Sequence, residues 1–200
     1  MPILTSLFLT FVLYPLDFPG FIQKQQVNPY QSENQLFCVV ATYNKRNDGF
    51  IQVRNTANTG GVNGPQQSPE SSSFFGDLCA QQVNAGSLLV APCFLKPTFS
   101  VTAGPYWVLA VGDNYEWAIV SGGKPTEERE TRDGRTFCTT KKGESFLDTN
   151  GSGLWLFTRE REASPETMTA MEAKLNELGI SAADLKPVVQ AGCTYPNSIK

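Results

Sequence analysis

Any reactive chemistry in this chain must come from cysteine, tyrosine, lysine or carboxylate side chains, because its 200 residues include no histidine. That removes imidazole bases, Ser/His/Asp and Cys/His catalysis, and every histidine-containing zinc site. The five cysteines, Cys38, Cys79, Cys93, Cys138 and Cys193, are widely spaced and form no C-x-x-C pair, so neither zinc nor thioredoxin-like chemistry is indicated. No metal and no cofactor is expected. Disulfides are the preferred reading over reduced core thiols, which places the chain in an oxidising compartment with one thiol left over or paired between chains. The triplet Asn150-Gly151-Ser152 is a glycan acceptor if the chain is secreted in a eukaryote, although such triplets are common by chance.

The net charge is −3, from 16 basic and 19 acidic residues, and the basic ones are scattered rather than clustered. Nucleic acid is therefore not an expected partner. With 40% hydrophobic and 11% aromatic residues, the chain has enough apolar material for one domain with a real interior.

The elements that must position any site are mostly strands. From Gly104 to Arg159 the chain reads G-P-Y-W-V-L-A-V, G-D-N-Y, E-W-A-I-V-S and, after a polar excursion, G-L-W-L-F-T-R. Aromatic and β-branched residues at period 2, separated by turn residues, predict three antiparallel strands. Earlier, Phe21 to Gln26 reads as a weak strand and Leu36 to Tyr43 as a stronger one. The turn Asn47-Asp48-Gly49 then leads into Phe50 to Asn55. Residues 56–73 are rich in Gly, Asn, Gln, Pro and Ser and predict a mobile loop. Further strands are expected near Cys79 to Ala85 and Phe94 to Val101, and a hairpin or excursion around Cys138 within Lys124 to Ser152. One helix is well marked, with Ser164 as N-cap, Pro165 at N1 and Gly179 past its end. Its stripe of Met168, Met171, Leu175 and Leu178 should pack on a barrel wall. Val188 and Val189 suit a last short strand. At the N-terminus, Ile3 to Tyr14 is too short to span a bilayer. It suits either a degraded targeting segment or a buried strand.

About eight antiparallel strands followed by one helix resemble the lipocalins, and particular residues carry the resemblance further. F-C-V-V-A-T-Y-N at Phe37 to Asn44, its N-D-G turn and F-I-Q-V-R-N look like the second and third strands of the branch that contains apolipoprotein D and the bacterial lipocalins. P-Y-W-V-L-A-V-G-D-N-Y is similar to the family's second signature, with Asp113 and Tyr115 in its turn. L-W-L-F-T-R is similar to the third, whose arginine is Arg159. The first signature, G-x-W, departs from the pattern: here Gly20 is followed by Phe21 and Ile22, so Phe21 is expected to replace the tryptophan against Arg159.

The resemblance implies an all-β fold with one packed helix, namely an eight-stranded up-and-down antiparallel β-barrel with a C-terminal α-helix on its wall. It covers residues 16–195, with 1–15 as a separate apolar segment. It also implies a Cys38–Cys193 disulfide. Cys79 with Cys138 is the preferred second pair, although connectivity does not follow from sequence.

A barrel of this size holds one small ligand. The inward-parity positions expected to line it are Val39, Tyr43, Val53, Phe99, Tyr106, Trp117, Trp155 and Phe157. The function implied is binding, transport or scavenging of a small hydrophobic molecule such as a fatty acid, oxidised lipid, sterol or carotenoid. The alternative is an enzyme on the same barrel, either de-epoxidase-like or a thiol-dependent isomerase using Cys38. A secreted or organelle-lumen location is expected, with the plastid as alternative. The expected assembly is a monomer or weak dimer, with peripheral membrane contact left open.

Overall fold

The structure is a computed structural model, and it describes residues 19–67, 77–144, 148 and 150–195. The apolar segment Ile3 to Tyr14 and the later part of the expected loop, residues 68–73, lie outside them.

Eight strands close into an antiparallel barrel: β1 (Gly20–Gln26), β2 (Phe37–Lys45), β3 (Ile51–Asn58), β5 (Leu78–Asn84), β6 (Ser87–Pro92), β7 (Gly104–Val111), β8 (Trp117–Ser121) and β11 (Leu154–Thr158). Each pairs with the next in that order, and β11 returns to β1, with Ile22 opposite Phe157 and Gln25 opposite Trp155. Closure removes the exposed edges that an open sheet of this size would present. The short β4 (Gln66–Gln67) pairs with β3, and β12 (Leu185–Pro187) pairs with β1. A separate hairpin, β9 (Glu127–Arg132) and β10 (Arg135–Thr139), projects between β8 and β11. It turns at Asp133 and Gly134, whose φ values of 51° and 71° give the left-handed pair that a two-residue hairpin turn needs.

The helix Pro165–Glu177 starts where the sequence marks it: the Ser164 hydroxyl accepts the Thr167 N–H at 3.1 Å. Its Met171 and Leu175 are buried against Trp117, Ile119, Leu154, Leu156 and Ile180. Strands β8 and β11 are therefore apolar on both faces. Ala118, Val120, Trp155 and Phe157 point into the barrel, while Trp117, Ile119, Leu154 and Leu156 lie under the helix. Leu178, expected in the helical stripe, is exposed; Ile180, just past Gly179, fills that place.

Three local expectations are corrected. The strand expected over Phe94 to Val101 is a 3-10 turn, Cys93–Thr98, continuing into a short helix, Phe99–Thr102. Pro97 lacks the N–H that a central strand would use. The strand instead lies just before, as β6. Residues 56–58, assigned to a loop, extend β3, where Thr56 and Asn58 pair with Val40 and Phe37.

The second disulfide also differs. Cys38 is joined to Cys193, but Cys79 pairs with Cys93 rather than Cys138. Cys79 faces Ala91 in the β5–β6 ladder, so the chain just past β6 brings Cys93 within a Cα distance of 4.8 Å. Cys138 is a free thiol on the outlying hairpin, where its backbone bonds to Gly179 and Ser181.

Candidate ligand-binding cavity

The inward faces of β2, β6, β7, β8 and β11 line a cavity of about 350 Å³ that is partly open to solvent. Its walls are Tyr43, Leu88, Tyr106, Val108, Val120 and Phe157. At the end where β1 begins, it is bounded by Gly20, the Ala85–Gly86 turn, Tyr115, Glu116 and Arg159. The volume lies in the usual range for small-molecule sites, and the walls are predominantly apolar, as such sites are.

Of the expected lining residues, Tyr43, Tyr106 and Phe157 border this cavity directly. Val39 and Trp155 lie in the same interior cluster, and Val53 lies in the adjoining one with Ile51 and Leu88. Phe99 is elsewhere: it packs with Cys79, Ala91 and Phe50 beside the disulfide, because its segment is helical. Trp117 borders the cavity's end, but it belongs to the outer face of β8 beneath the helix. Its ring lies so close to Gly112 that a Cβ there would approach the indole nitrogen to 2.4 Å. Choosing the bulkier face of β8 as the inner one reversed its parity, since the helix gives the outer face a core of its own. Leu88 was missed with its strand, and Val108 and Val120 because aromatic neighbours drew the pattern.

The first-signature region is corrected as well. Gly20, not Phe21, takes the inward position, and a Cβ on it would meet Phe157 Cδ1 at 2.7 Å. Phe21 faces outward, buried against Val40 and edge-on to Tyr195 with ring centroids 5.1 Å apart. Arg161 lies over the Tyr195 ring of that pair, 5.2 Å from its centroid. Arg159 borders the cavity, and its backbone N–H donates to the Glu116 carbonyl at 3.0 Å. Asp113 and Tyr115 form the expected turn, with positive φ at Asn114 and Tyr115.

A hydrogen-bonded phenol pair interrupts the apolar walls, and an unpaired amide lies buried in the barrel outside the cavity lining. The Tyr43 and Tyr106 hydroxyls share a hydrogen bond of 2.7 Å. Burial pushes Tyr43 up to about 12, partly offset by that bond, and burial with the neighbouring Tyr43 drives Tyr106 well above its ordinary value. Both are neutral phenols, and a bonded pair retains one unused O–H donor. The amide is that of Gln25, which no sequence pattern singled out. It is fully buried, and facing Trp155 it points into the barrel. Neither its amide oxygen nor its nitrogen has a hydrogen-bond partner among the described residues. Leaving such a group unpaired costs about 1–3 kcal/mol.

Among the described residues no cluster of Cys, Asp or Glu could hold a metal ion, and no helix is long and apolar enough to cross a membrane.

A closed eight-stranded antiparallel barrel around an apolar cavity, with one helix on its wall, is an up-and-down β-barrel architecture. The lipocalin-like domain model matches residues 27–129, more than half of the chain. The chain belongs to the lipocalin-like family. Solved structures agree on the fold. The cockroach allergen Per a 4 superposes with a TM-score of 0.56 at 14% identity, over 88% of this chain and 87% of that one. Lobster apocrustacyanin A1 gives 0.55 at 12%, over 90% and 79%, and apocrustacyanin C2 gives 0.54 at 13%, over 89% and 79%. No curated protein matches the sequence.

Proposed function

We propose that the protein binds a small hydrophobic molecule inside the barrel and carries or sequesters it without chemical change. The supporting observation is the cavity of about 350 Å³ walled by Tyr43, Leu88, Tyr106, Val108, Val120 and Phe157. Burying a ligand's apolar surface there contributes about 25 cal/mol per Å², enough to drive uptake from water. Fatty acids, oxidised lipids, sterols and carotenoids fall within this class. The motifs ascribed to the apolipoprotein D and bacterial branch favour that part of the family.

The thiol-dependent enzyme loses its nucleophile in this reading, because Cys38 is buried and joined to Cys193. Two disulfides support an oxidising, secreted or lumenal setting. Exposed Phe94 and Val101, flanking the segment after β6, are the surface residues that would support peripheral membrane contact. The test is extraction of the natively purified protein followed by mass analysis. A stoichiometric apolar compound is the expected result; a repeatedly empty protein that also ignores added apolar ligands contradicts the reading.

A further inference from the structure

The cavity has one wet end and one filled end. Among the described residues that line it, the charged ones are Glu116 and Arg159, and both sit where β1 begins, near Tyr115 and the Ala85–Gly86 turn. The Arg159 backbone N–H on the Glu116 carbonyl, at 3.0 Å, joins the residue before β8 to the residue after β11. Arg159 is half-buried there and Glu116 is exposed. Inward from this rim the lining is apolar as far as the Tyr43–Tyr106 pair. Beyond the pair the barrel is filled: Trp155 stacks on Tyr106 at 6.4 Å between centroids, and Leu36, Val39, Ala57 and Val188 pack with it as one buried cluster. The β1–β2 connection at that far end is tied down. The Gly60 N–H donates to the Asn34 carbonyl at 2.8 Å, and the Thr140 hydroxyl donates to Gln26 Oε1 at 2.7 Å.

A close-packed interior admits nothing without rearrangement, so passage belongs to the unfilled end. A ligand's last atoms remain in water at that end, where hydrocarbon gains nothing from binding. A charged head carried inward would give up its hydration for two neutral phenols. At the rim it keeps water and has a side chain of either sign at hand. The volume, about 350 Å³, is near the small end for ligand sites and suits one slender chain. We propose that the ligand is a single-tailed amphiphile that enters tail first between the Ala85–Gly86 turn and the Tyr115–Arg159 rim, and rests with its polar head beside Glu116 and Arg159. This rests on the enclosed-ligand reading above and adds the ligand's route and orientation.

The experiment uses the full chain carrying Cys138→Ser, so that only introduced thiols react, with dodecanoate as the probe. Ala85→Cys sets a thiol on the exposed rim, and Glu33→Cys sets one at the far end, where the Glu33 side chain is 72% exposed. Each is coupled to a bulky maleimide. By stopped-flow tryptophan fluorescence, the rim label should slow association and release about tenfold or more and change the dissociation constant far less, because an obstructed path slows both directions alike. The far-end label should leave both rates at their native values. Ala85→Trp, which needs no label, should slow exchange in the same sense. With dodecanoate isotopically labelled at its carboxyl carbon, the bound resonance should titrate with pH nearly as it does free in water. The ω-methyl protons should show nuclear Overhauser contacts to Tyr106. Slowing from the far end and not from the rim, or no slowing by either rim variant, overturns the inference while leaving the chamber standing. So does a bound carboxyl that fails to titrate, or binding of hexadecan-1-ol with none of dodecanoate. If neither probe binds, the enclosed-ligand reading falls together with this inference.

Discussion

The hydroxyl of Tyr43 lies 2.7 Å from that of Tyr106, joining β2 to β7 across the barrel although three strands separate them around its wall. This bond is the only direct polar tie described between those two strands, and it crosses the space a ligand would share.

Burial of the pair makes the protein sensitive to alkali. Tyr43 is raised from 10.0 to about 12 by burial, so between these values the folded state holds a proton that the unfolded chain has lost. Stability is then full below about pH 10 and falls as pH rises through 12. Urea midpoints measured across this window should decline, with tyrosinate absorbance appearing only as the chain unfolds. A Tyr43→Phe variant should decline less, and a midpoint that stays level above pH 10 in the native protein would count against the buried pair.

The two disulfides should differ in weight. Cys38 and Cys193 are 155 residues apart and Cys79 and Cys93 only 14. Loop-closure entropy gives about 5 kcal/mol for the long loop and about 3 kcal/mol for the short one, as upper figures. Cys193→Ser should therefore destabilise more than Cys93→Ser in denaturant titrations. Non-reduced peptide mapping should find Cys138 alone open to alkylation; an alkylatable Cys38 would instead revive the thiol-dependent enzyme.

Gly20 keeps the cavity open. Because a Cβ there would sit 2.7 Å from Phe157 Cδ1, Gly20→Ala must displace that ring. Overpacking of this kind costs about 1–3 kcal/mol. The ring's displacement toward the cavity should also weaken ligand binding several-fold, and calorimetric titration beside a thermal melt separates the two effects. Unchanged affinity would show that Phe157 yields in another direction.

The helix should matter to stability and not to the ligand. Ser164→Ala removes the cap on Thr167 and should cost about 1 kcal/mol. Leu175→Ala, at a fully packed site under the helix, should cost about 2–5 kcal/mol. Ligand affinity of the folded Ser164→Ala protein should match the native value, since the helix packs on the outer face.

Strand alternation and turn chemistry made the barrel legible before any coordinates, since Asn47-Asp48-Gly49 and the aromatic strands from Gly104 each obey local rules. The capped helix was legible for the same reason. What stayed hidden depends on what lies across the sheet. The parity of β8 reversed because a helix covers its outer face, so size no longer tells inside from outside at Trp117 and Val120. Phe99 was lost to the helical turn around Pro97, and Phe21 to the inward place taken by Gly20. Gln25 looks like any polar strand residue until closure of β1 onto β11 sets it beside Trp155.

The most direct test of the enclosed-ligand account is tryptophan fluorescence titration of the native protein and of Ala118→Phe, which fills the cavity from β8. The native protein should respond saturably to hexadecan-1-ol at one ligand per chain. The filled variant, melting near the native temperature, should bind about tenfold or more weakly for loss of that buried contact. Equal affinity in the two proteins, or no response to any apolar ligand, would contradict binding inside the barrel.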